Sequence, residues 1–575
     1  MFLHRRLTAT RRHHGGQWWS TSGTHRSSAA SKAVRSVRRE TTLATWAALF
    51  ALMVIASALI LHEGRGLTFF NDEWYFVLYR DGHDLDNFLA GHADHLVAVP
   101  VAIFLVLFKG IGLDAYWVYR VVALAAHLAC VLALYLLARR RVGPVAALAP
   151  AGILLFLGSA WEDLLRPFEV AFTGAVACGL AALLLIDRDR LAGDALACAA
   201  LVLGIGFSGV ALPFAAATAA GLLVRGRLPA RLWVPALPVG LYLLWAQKYA
   251  TEHINLIANL NDVPGYALRL AGDAVAGITG LPLGLAIGLI VLLVAFALSR
   301  LLRLGGPSPL AVEALALALS FWVLIAWTQA GDGEPLRNRY IYIGVVAILL
   351  LLVGLAPRGT PGRTATAIAL ALAALTLPVN IADLADGGRS LRHASAVMAA
   401  ELGAVEIARP TVDLEFGPPP EDFSGVTVAA GFYFASIDRY ESSPADSPEE
   451  IAARPEDVRL KADLVLSAAL RLAIRPVTSR DAAVGCAKVD GGHGEVVELP
   501  RAGLMIRAGR RSPVRVSLRR FADDWGIGLA SVKRGGRSVI RPPPDAAPEV
   551  PWRARAAAAT PFVVCRLAAP SPGSG

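Results

Sequence analysis

The apolar run "WVYRVVALAAHLACVLALYLLA" (117–138) decides the class of this protein. It is longer than the roughly 20 residues that an α-helix needs to cross a bilayer. The stretch "RRR" (139–141) follows it directly, as basic residues do on the cytoplasmic side of a span. Similar runs recur along the 575-residue chain, of which 55% is hydrophobic and only 17% charged, with a mean hydropathy of +0.53. The sequence therefore predicts a mainly α-helical, polytopic membrane protein.

About eleven runs are predicted to span the membrane. They are 43–62, 117–138, 143–161, 168–186, 193–207, 209–224, 231–249, 280–299, 308–328, 339–356 and 364–384. With the N-terminal tail inside, this count also places the basic loops between the spans inside. The run 96–108 is short and contains Pro100, so we expect it to lie along the outer surface.

The predicted spans divide the chain into three parts. Residues 1–40 are predicted to be a disordered, basic cytoplasmic tail. Residues 41–385 form the transmembrane domain, with an outer loop at 63–116. Residues 386–575 form an extracytoplasmic soluble domain of the α+β type, in which strand-like stretches broken by Gly and Pro predict a small β-sandwich. Cys486 and Cys565 lie in this domain, and a disulfide between them would require an oxidising compartment.

The net charge of +10 does not indicate a nucleic-acid partner. The basic residues lie in the tail, in the short loops between spans and in the C-terminal third, and the loop clusters are typical of topology signals.

The outer loop contains an unusual polar stretch, "FFNDEWYFVLYRDGHDLDNFLAGHADHLVAVP" (69–100). A carboxylate such as Asp72 or Glu73 is suited to act as a general base toward a hydroxyl or amine. The alternative is that Asn71 or Asp72 caps a short helix.

Further polar residues accompany this acid pair. In "GHADHL" (91–96), His92, Asp94 and His95 are of the types that bind a metal or a phosphate, although their spacing matches no strong zinc motif and Asp94 is equally suited to cap a helix. In "WEDLLRPFE" (161–169), Glu162 and Asp163 lie at the predicted outer turn between two spans.

Three arginines lie at the outer ends of predicted spans, against the positive-inside bias: Arg166, Arg337 and Arg339. Guanidinium is the usual partner of a phosphate, so these residues predict a phosphate site. The alternative is snorkelling or pairing with Asp332 or Glu334.

Taken in order, several stretches resemble the GT-C superfamily, polytopic glycosyltransferases that use polyprenyl-phosphate sugars, such as protein O-mannosyltransferases and aminoarabinose transferases. They are "NDEWY" (71–75), "HADHLVAVPVAIFLVLFKGIG" (92–112), "YWVYRVVALAAHL" (116–128), "EDLLRPFEV" (162–170) and "RNRYIYI" (337–343). Two stretches depart from the family: "HLVAVP" replaces a His-Pro-Pro-Leu type sequence, and "FSGVALP" (207–213) lacks a lysine. The C-terminal domain resembles those of actinobacterial membrane proteins and implies no activity.

The resemblance implies an inverting transfer of a sugar from a polyprenyl-phosphate donor to a glycan, lipid or protein. The reaction would take place at the outer face of the bacterial cytoplasmic membrane, with Asp72 or Glu73 as the base. Arg166, Arg337 or Arg339, together with His95, would contact the donor phosphate. The other polar residues are assigned to the acceptor or to a metal, with Mg²⁺ or Mn²⁺ as a possible cofactor: His92, Asp94, Glu162 and Asp163.

Two other functions remain open. A lipid-linked glycan transporter, flippase or polymerase would bind the same carriers but predicts a polar path through the spans, of which the sequence shows little. A non-catalytic scaffold predicts that Asp72 and Glu73 are dispensable.

Overall fold

Apolar helices dominate the first two thirds of the chain in the computed structural model of the protein. The structure describes residues 24–82, 84–92, 95–186, 190–250, 260–303, 308–329, 338–418, 428–479, 481–492 and 494–568. By its internal contacts the chain divides after Leu52 into two units. The described part of the first unit is the beginning of one long helix. All other features described below lie in the second unit, Met53–Gly575.

The helices were numbered in chain order. They are α1 (Thr24–Glu63), α2 (Asp72–Tyr79), α3 (Leu85–Leu89), α4 (Ala98–Ile111), α5 (Tyr116–Val142), α6 (Leu148–Leu155), α7 (Trp161–Leu165), α8 (Val170–Ile186), α9 (Leu191–Phe207), α10 (Leu212–Val224), α11 (Leu228–Arg231), α12 (Trp233–Tyr249), α13 (Val263–Thr279), α14 (Leu283–Arg303), α15 (Pro309–Gln329), α16 (Arg339–Leu355), α17 (Arg363–Leu375), α18 (Leu377–Ile407), α19 (Ala430–Tyr440), α20 (Pro448–Ala453) and α21 (Glu456–Ala469). Single turns of 3₁₀-helix lie at Gly158–Ala160, Pro167–Glu169 and Gly209–Ala211.

Seven stretches of the described residues are long and apolar enough to cross a membrane. They are Thr42–Glu63, Tyr116–Val142, Leu148–Leu165, Pro167–Ile186, Leu283–Arg300, Pro309–Gln329 and Arg363–Ile407. Four shorter apolar helices are Ala98–Ile111, Leu191–Phe207, Gly209–Val224 and Arg339–Leu355. A helix of 17 residues, such as α16, measures about 25 Å, slightly less than the roughly 30 Å of a hydrocarbon core. The protein is a membrane protein, and a helix lies at each of the predicted spans.

Two helices differ from what the sequence predicted. Helix α13 lies between the predicted spans 231–249 and 280–299, where the sequence predicted no helix, and it buries one face through Leu270, Ala274 and Ile278. Helix α18 runs without interruption past residue 386, where we predicted the soluble domain to begin. The last predicted span and the C-terminal domain are therefore joined by one continuous helix.

Residues 386–575, which we call the C-terminal domain after the prediction, contain two antiparallel sheets. The strands are β1 (Arg475–Pro476), β2 (Ala483–Val489), β3 (Gly494–Glu498), β4 (Leu504–Arg507), β5 (Arg515–Arg519), β6 (Ile527–Gly528), β7 (Arg537–Ile540), β8 (Arg553–Ala557) and β9 (Phe562–Leu567). One sheet has the order β1-β7-β4-β9-β2 and the other β3-β8-β5-β6. Cys486 and Cys565 are joined by a disulfide between β2 and β9. The predicted fold class, mainly helical with a small β structure near the C-terminus, is confirmed.

An aromatic cluster fixes the position of α2 and of the segment before it. The ring of Phe69 lies 5.0 Å from that of Tyr116 and 5.9 Å from that of Trp74, centroid to centroid. Trp74 also contacts Tyr433 of α19 at 5.9 Å, and the hydroxyl of Ser436 donates a hydrogen bond to the carbonyl of Val77. Helix α2 is therefore held between the membrane helices and the C-terminal domain.

Candidate active site

Asp72 and Glu73 begin helix α2, but their side chains lie in different surroundings. Asn71 precedes the helix with a positive φ of 44° and its side chain makes no capping hydrogen bond. Asp72 is 21% exposed, whereas Glu73 is fully buried. Neither Asn71 nor Asp72 therefore acts as the simple cap that the sequence left as an alternative.

The carboxylate of Asp72 is held by two side chains from distant segments. Its Oδ1 lies 2.9 Å from Nε2 of His92, and its Oδ2 accepts a hydrogen bond of 3.4 Å from Nη2 of Arg166. Burial raises the pKa of Asp72, but the hydrogen bond and charge of His92, with the charges of Arg166 and Arg339, lower it to about 2. Asp72 is therefore an oriented anion that solvent still reaches.

The carboxylate of Glu73 fastens three segments together. Its Oε2 accepts hydrogen bonds from the amide of Phe70 and the hydroxyl of Tyr116, and its Oε1 accepts one from the amide of Phe168. Burial raises the pKa of Glu73 to about 7, against the opposing effects of Arg166 and these three donors. Both oxygens are thus used within the protein. Tyr116 was not predicted from the sequence, because nothing in a pattern pairs it with a residue 43 positions away.

His92 is fixed by packing. Its ring lies 4.9 Å from Tyr75, 5.6 Å from Phe76 and 5.3 Å from Phe168, centroid to centroid, and its side chain is only 10% exposed. Backbone hydrogen bonds of 3.0 Å and 2.9 Å join it to His95 in both directions. Backbone pairing with His95 and packing against these three rings thus fix the residue whose ring contacts Asp72.

Arg166 lies at the centre of a group of carboxylates. In addition to Asp72, its guanidinium contacts Glu162 at 3.3 Å and Glu169 at 3.6 Å. The side chain is 7% exposed and also stacks over the ring of Phe70 at 5.6 Å. Of these partners, Glu169 was not predicted as a site residue, although its position three residues after Arg166 is a spacing typical of paired residues on a helix.

Two further acids lie deeper beside this group. Asp163 is 1% exposed and Glu169 is fully buried. Within the described part of the chain, the carboxylate oxygens of both accept no hydrogen bond. The predicted site residues Glu162 and Asp163 are thus brought to the same place as Asp72, but only Glu162 touches Arg166.

Arg339 differs from Arg166 in having no carboxylate partner. At the start of α16 its guanidinium lies over the rings of Phe172 and Tyr340, at 5.5 Å and 5.6 Å. Among the described residues no acid lies within ion-pair distance of it, and its Nε is buried without a hydrogen-bond partner. Arg339 therefore makes no direct ion pair in the described part of the chain, although it interacts electrostatically with Glu169 and Asp72.

The other predicted site residues are distributed differently. The ring of His95 lies beside Gly209, where an added Cβ would meet its Nδ1 at 3.2 Å and the hydroxyl of Tyr242 at 3.0 Å. Asp94 and Arg337 lie outside the described residues. The assignments of His95, Asp94 and Arg337 stay predictions.

A divalent cation remains a prediction as well. Within the described ranges, no three His, Cys, Asp or Glu side chains converge in a way that could hold a metal ion. The carboxylate oxygens of Asp163 and Glu169, which accept no hydrogen bond among the described residues, do not complete such a set. We therefore derive no step through a metal ion from the residues present.

Comparison with solved structures gives likenesses of low sequence identity, among them the two that follow. No protein-family model matches the sequence, and no curated protein is similar to it. The chain is similar to ArnT from Cupriavidus metallidurans in the apo state, with 14% identity and a TM-score of 0.42 over 75% of this chain and 96% of that one. It is also similar to the Archaeoglobus fulgidus oligosaccharyltransferase in complex with Zn and sulfate, with 14% identity and a TM-score of 0.32 over 69% of this chain and 57% of that one.

At this level of similarity, neither likeness carries a substrate, a mechanism or a catalytic residue over to this chain.

Proposed function

We propose that this chain is a membrane glycosyltransferase that moves a sugar from a polyprenyl-phosphate donor to an extracytoplasmic glycan, lipid or protein. The observation that carries the proposal is the difference in surroundings between the two adjacent acids. Glu73 is buried and saturated with hydrogen bonds, whereas Asp72 is ionised, oriented and reachable. A base that takes a proton from an incoming acceptor needs these three properties.

The proposed reaction is one direct displacement. The acceptor hydroxyl or amine gives its proton to the carboxylate of Asp72, and the acceptor oxygen or nitrogen bonds to the anomeric carbon. The bond from that carbon to the phosphate oxygen breaks, and its electron pair leaves with the polyprenyl phosphate. Because attack and departure take place on opposite faces, the configuration at the anomeric carbon inverts.

The basicity of Asp72 is expected to rise when the donor binds. With a pKa of about 2, the carboxylate of the free protein is a weak base. A donor phosphate bound by Arg339 would add negative charge near Asp72 and offset the positive charge of that arginine, which lowers the pKa of Asp72. A nearby negative charge raises the pKa of a carboxylate. Asp72 would thus gain basicity only in the presence of the donor.

Arg339 is the better of the two described arginines for binding the donor phosphate. Arg166 is already surrounded by Asp72, Glu162 and Glu169, which compete with an incoming anion. Arg339 has aromatic neighbours and no ion pair in the described part of the chain. Its guanidinium would stabilise the negative charge that develops on the departing phosphate.

The proposal is tested by measuring transfer from a panel of radiolabelled polyprenyl-phosphate sugars. Membranes would contain equal amounts of the wild type, Asp72→Asn or Asp86→Asn. Asp86 is a matched control, because it lies in the same segment but in an exposed pair with Lys248. We expect labelled product with the wild type and the control, and none with Asp72→Asn.

Two outcomes would contradict the proposal. Equal transfer by all three proteins would remove Asp72 from the reaction. No transfer by the wild type from any donor, with label instead crossing the membrane in sealed vesicles, would favour a lipid-linked glycan transporter.

A further inference from the structure

The five-stranded sheet of the C-terminal domain carries a row of cations across three of its strands. The register pairs Lys488 of β2 with Val563 of β9, Val563 with Arg507 of β4, and Arg507 with Arg537 of β7. These residues therefore form one line on one face of the sheet. The three basic residues of the line are exposed.

This row lacks the acids that would normally accompany it. Arg507 and Arg537 are directly opposite each other, an arrangement of like charges that destabilises an antiparallel pair. Among the described residues, no carboxylate lies within ion-pair distance of Lys488, Arg507 or Arg537. The repulsion between the two arginines is thus not offset within the domain.

The second sheet of the same domain shows the usual arrangement. There Arg553 of β8 is opposite Glu498 of β3 on one side and Arg519 of β5 on the other. An acid is thus built into the row of cations in this sheet. The lack of an acid is therefore specific to the basic row of the five-stranded sheet and is not a general property of this basic domain.

A small pocket lies at the end of the row. Its volume is about 260 Å³, and it is lined by Lys488, Arg507 and Arg510 together with backbone around Gly509, Gly535 and Pro561. The lining contains three cations and no acid. Guanidinium groups offer paired donors in a planar arrangement that matches the oxygens of a phosphate.

We propose that this pocket binds a phosphate group. The anion would lie between Lys488, Arg507 and Arg510, and it would relieve the repulsion between Arg507 and Arg537. A pocket of this size accepts a phosphate and the first atoms attached to it, and not a whole glycan. The phosphate would belong either to a lipid headgroup or to a phosphorylated sugar, and both present the same oxygens to the pocket. The site is separate from the one around Asp72 and does not depend on the proposed transfer.

The test is calorimetric titration of the full-length protein, in a neutral detergent, with inorganic pyrophosphate. We expect binding of one pyrophosphate per chain by the wild type. The double variant Arg507→Gln/Arg537→Gln should bind about tenfold more weakly or worse, since one charge-assisted contact and the neighbouring positive charge of Arg537 are removed. The matched control Arg553→Gln removes an exposed arginine of the second sheet and should bind as the wild type does.

Thermal unfolding and a second variant test whether weaker binding results from loss of folding. Thermal unfolding without pyrophosphate should occur at the same or a higher temperature in the double variant, because a repulsive pair has been removed. If that variant unfolds early, Arg510→Gln takes its place, since Arg510 lies in the loop after β4 and supports no strand. Equal binding by the wild type and the variants of the pocket would overturn the proposal, and so would an equal loss in Arg553→Gln, which would indicate attraction to net charge alone.

Competition experiments then distinguish the source of the phosphate. Displacement of pyrophosphate by glycerophosphoglycerol, but not by glucose 1-phosphate, would support a lipid headgroup, and the reverse would support a phosphorylated sugar. Displacement by glucuronate at the same concentrations would overturn the assignment to phosphate, because that ligand offers only a carboxylate.

Discussion

The surroundings of Asp72 and the five-stranded sheet both gather charged side chains, but under different physical conditions. Around Asp72 the charges are largely buried, and Arg166 alone contacts three carboxylates. On the sheet, Arg507 and Arg537 are exposed and have no acid beside them in the described residues. A buried charge requires partners to offset its desolvation, whereas an exposed charge is screened by water. Substitutions in the first region are therefore expected to affect structure and chemistry together, and those in the second to affect binding alone.

The largest expected effect is that of Asp72→Asn on transfer. Proton transfer by a positioned base contributes typically 10²–10⁴-fold, so we expect the transfer rate to fall by about 1,000-fold. The asparagine keeps the shape of the side chain and can still accept a hydrogen bond from Arg166. The measurement is initial rate at saturating donor, with Asp86→Asn as the reference. A fall of less than about tenfold would mean that Asp72 is not the base.

The second prediction concerns the pH dependence of stability and isolates Glu73. Its pKa is about 7 in the folded protein against an ordinary value of 4.5, so the folded state retains a proton that the unfolded state releases between these values. The contribution of Glu73 to stability should therefore be fully present below about pH 4.5 and be lost as pH rises to about 7. The loss from this one group amounts to about 3 kcal/mol.

The variant Glu73→Gln cannot titrate, so it provides the reference for this measurement. We expect the difference in unfolding temperature between wild type and variant to shift against the wild type from pH 5 to pH 8. A difference that does not change with pH would show that Glu73 is ionised in the folded protein from pH 5 to pH 8. The site would then stabilise a negative charge at Glu73 in spite of its burial.

The difference between Asp72 and Glu73 also shows how much of the site could be predicted from the sequence. Apolar runs predicted the positions of the membrane helices well, because a span must be long and apolar wherever the rest of the protein lies. The stretch "NDEWY" (71–75) indicated the site, but not which acid is exposed, because Phe70, Tyr116 and Phe168 bind Glu73 from three separate segments. Helix α13 was missed as a helix because Arg269 and Asp273 interrupt its apolar residues.

The third prediction separates the two arginines of the site. Arg339→Gln should lower the transfer rate by about 100-fold, since one donor to a developing anion is lost. It should lower the unfolding temperature less than Arg166→Gln does, because Arg339 interacts with Glu169 and Asp72 without forming an ion pair among the described residues. Arg166→Gln should lower both, since it leaves Asp72, Glu162 and Glu169 without their shared cation. The measurements are thermal unfolding and initial transfer rates on the same preparations of both variants. If Arg339→Gln also unfolds early, the division between binding and structural arginines is wrong.

The smallest expected effect lies where the C-terminal domain contacts helix α2. Ser436 of α19 is 1% exposed, and its hydroxyl lies 3.2 Å from the carbonyl of Val77 and 2.9 Å from that of Phe432. Ser436→Ala removes one hydrogen bond to α2 and should lower the free energy of unfolding by about 1 kcal/mol. Ser467→Ala is the matched control, because that hydroxyl bonds only within its own helix, to Leu464. We expect transfer by both variants to stay within about twofold of the wild type, since α2 is also held by Glu73 and by the aromatic cluster. A much larger fall in transfer for Ser436→Ala alone, at unchanged stability, would mean that the C-terminal domain sets the position of Asp72, and the two charged regions would then act on one reaction.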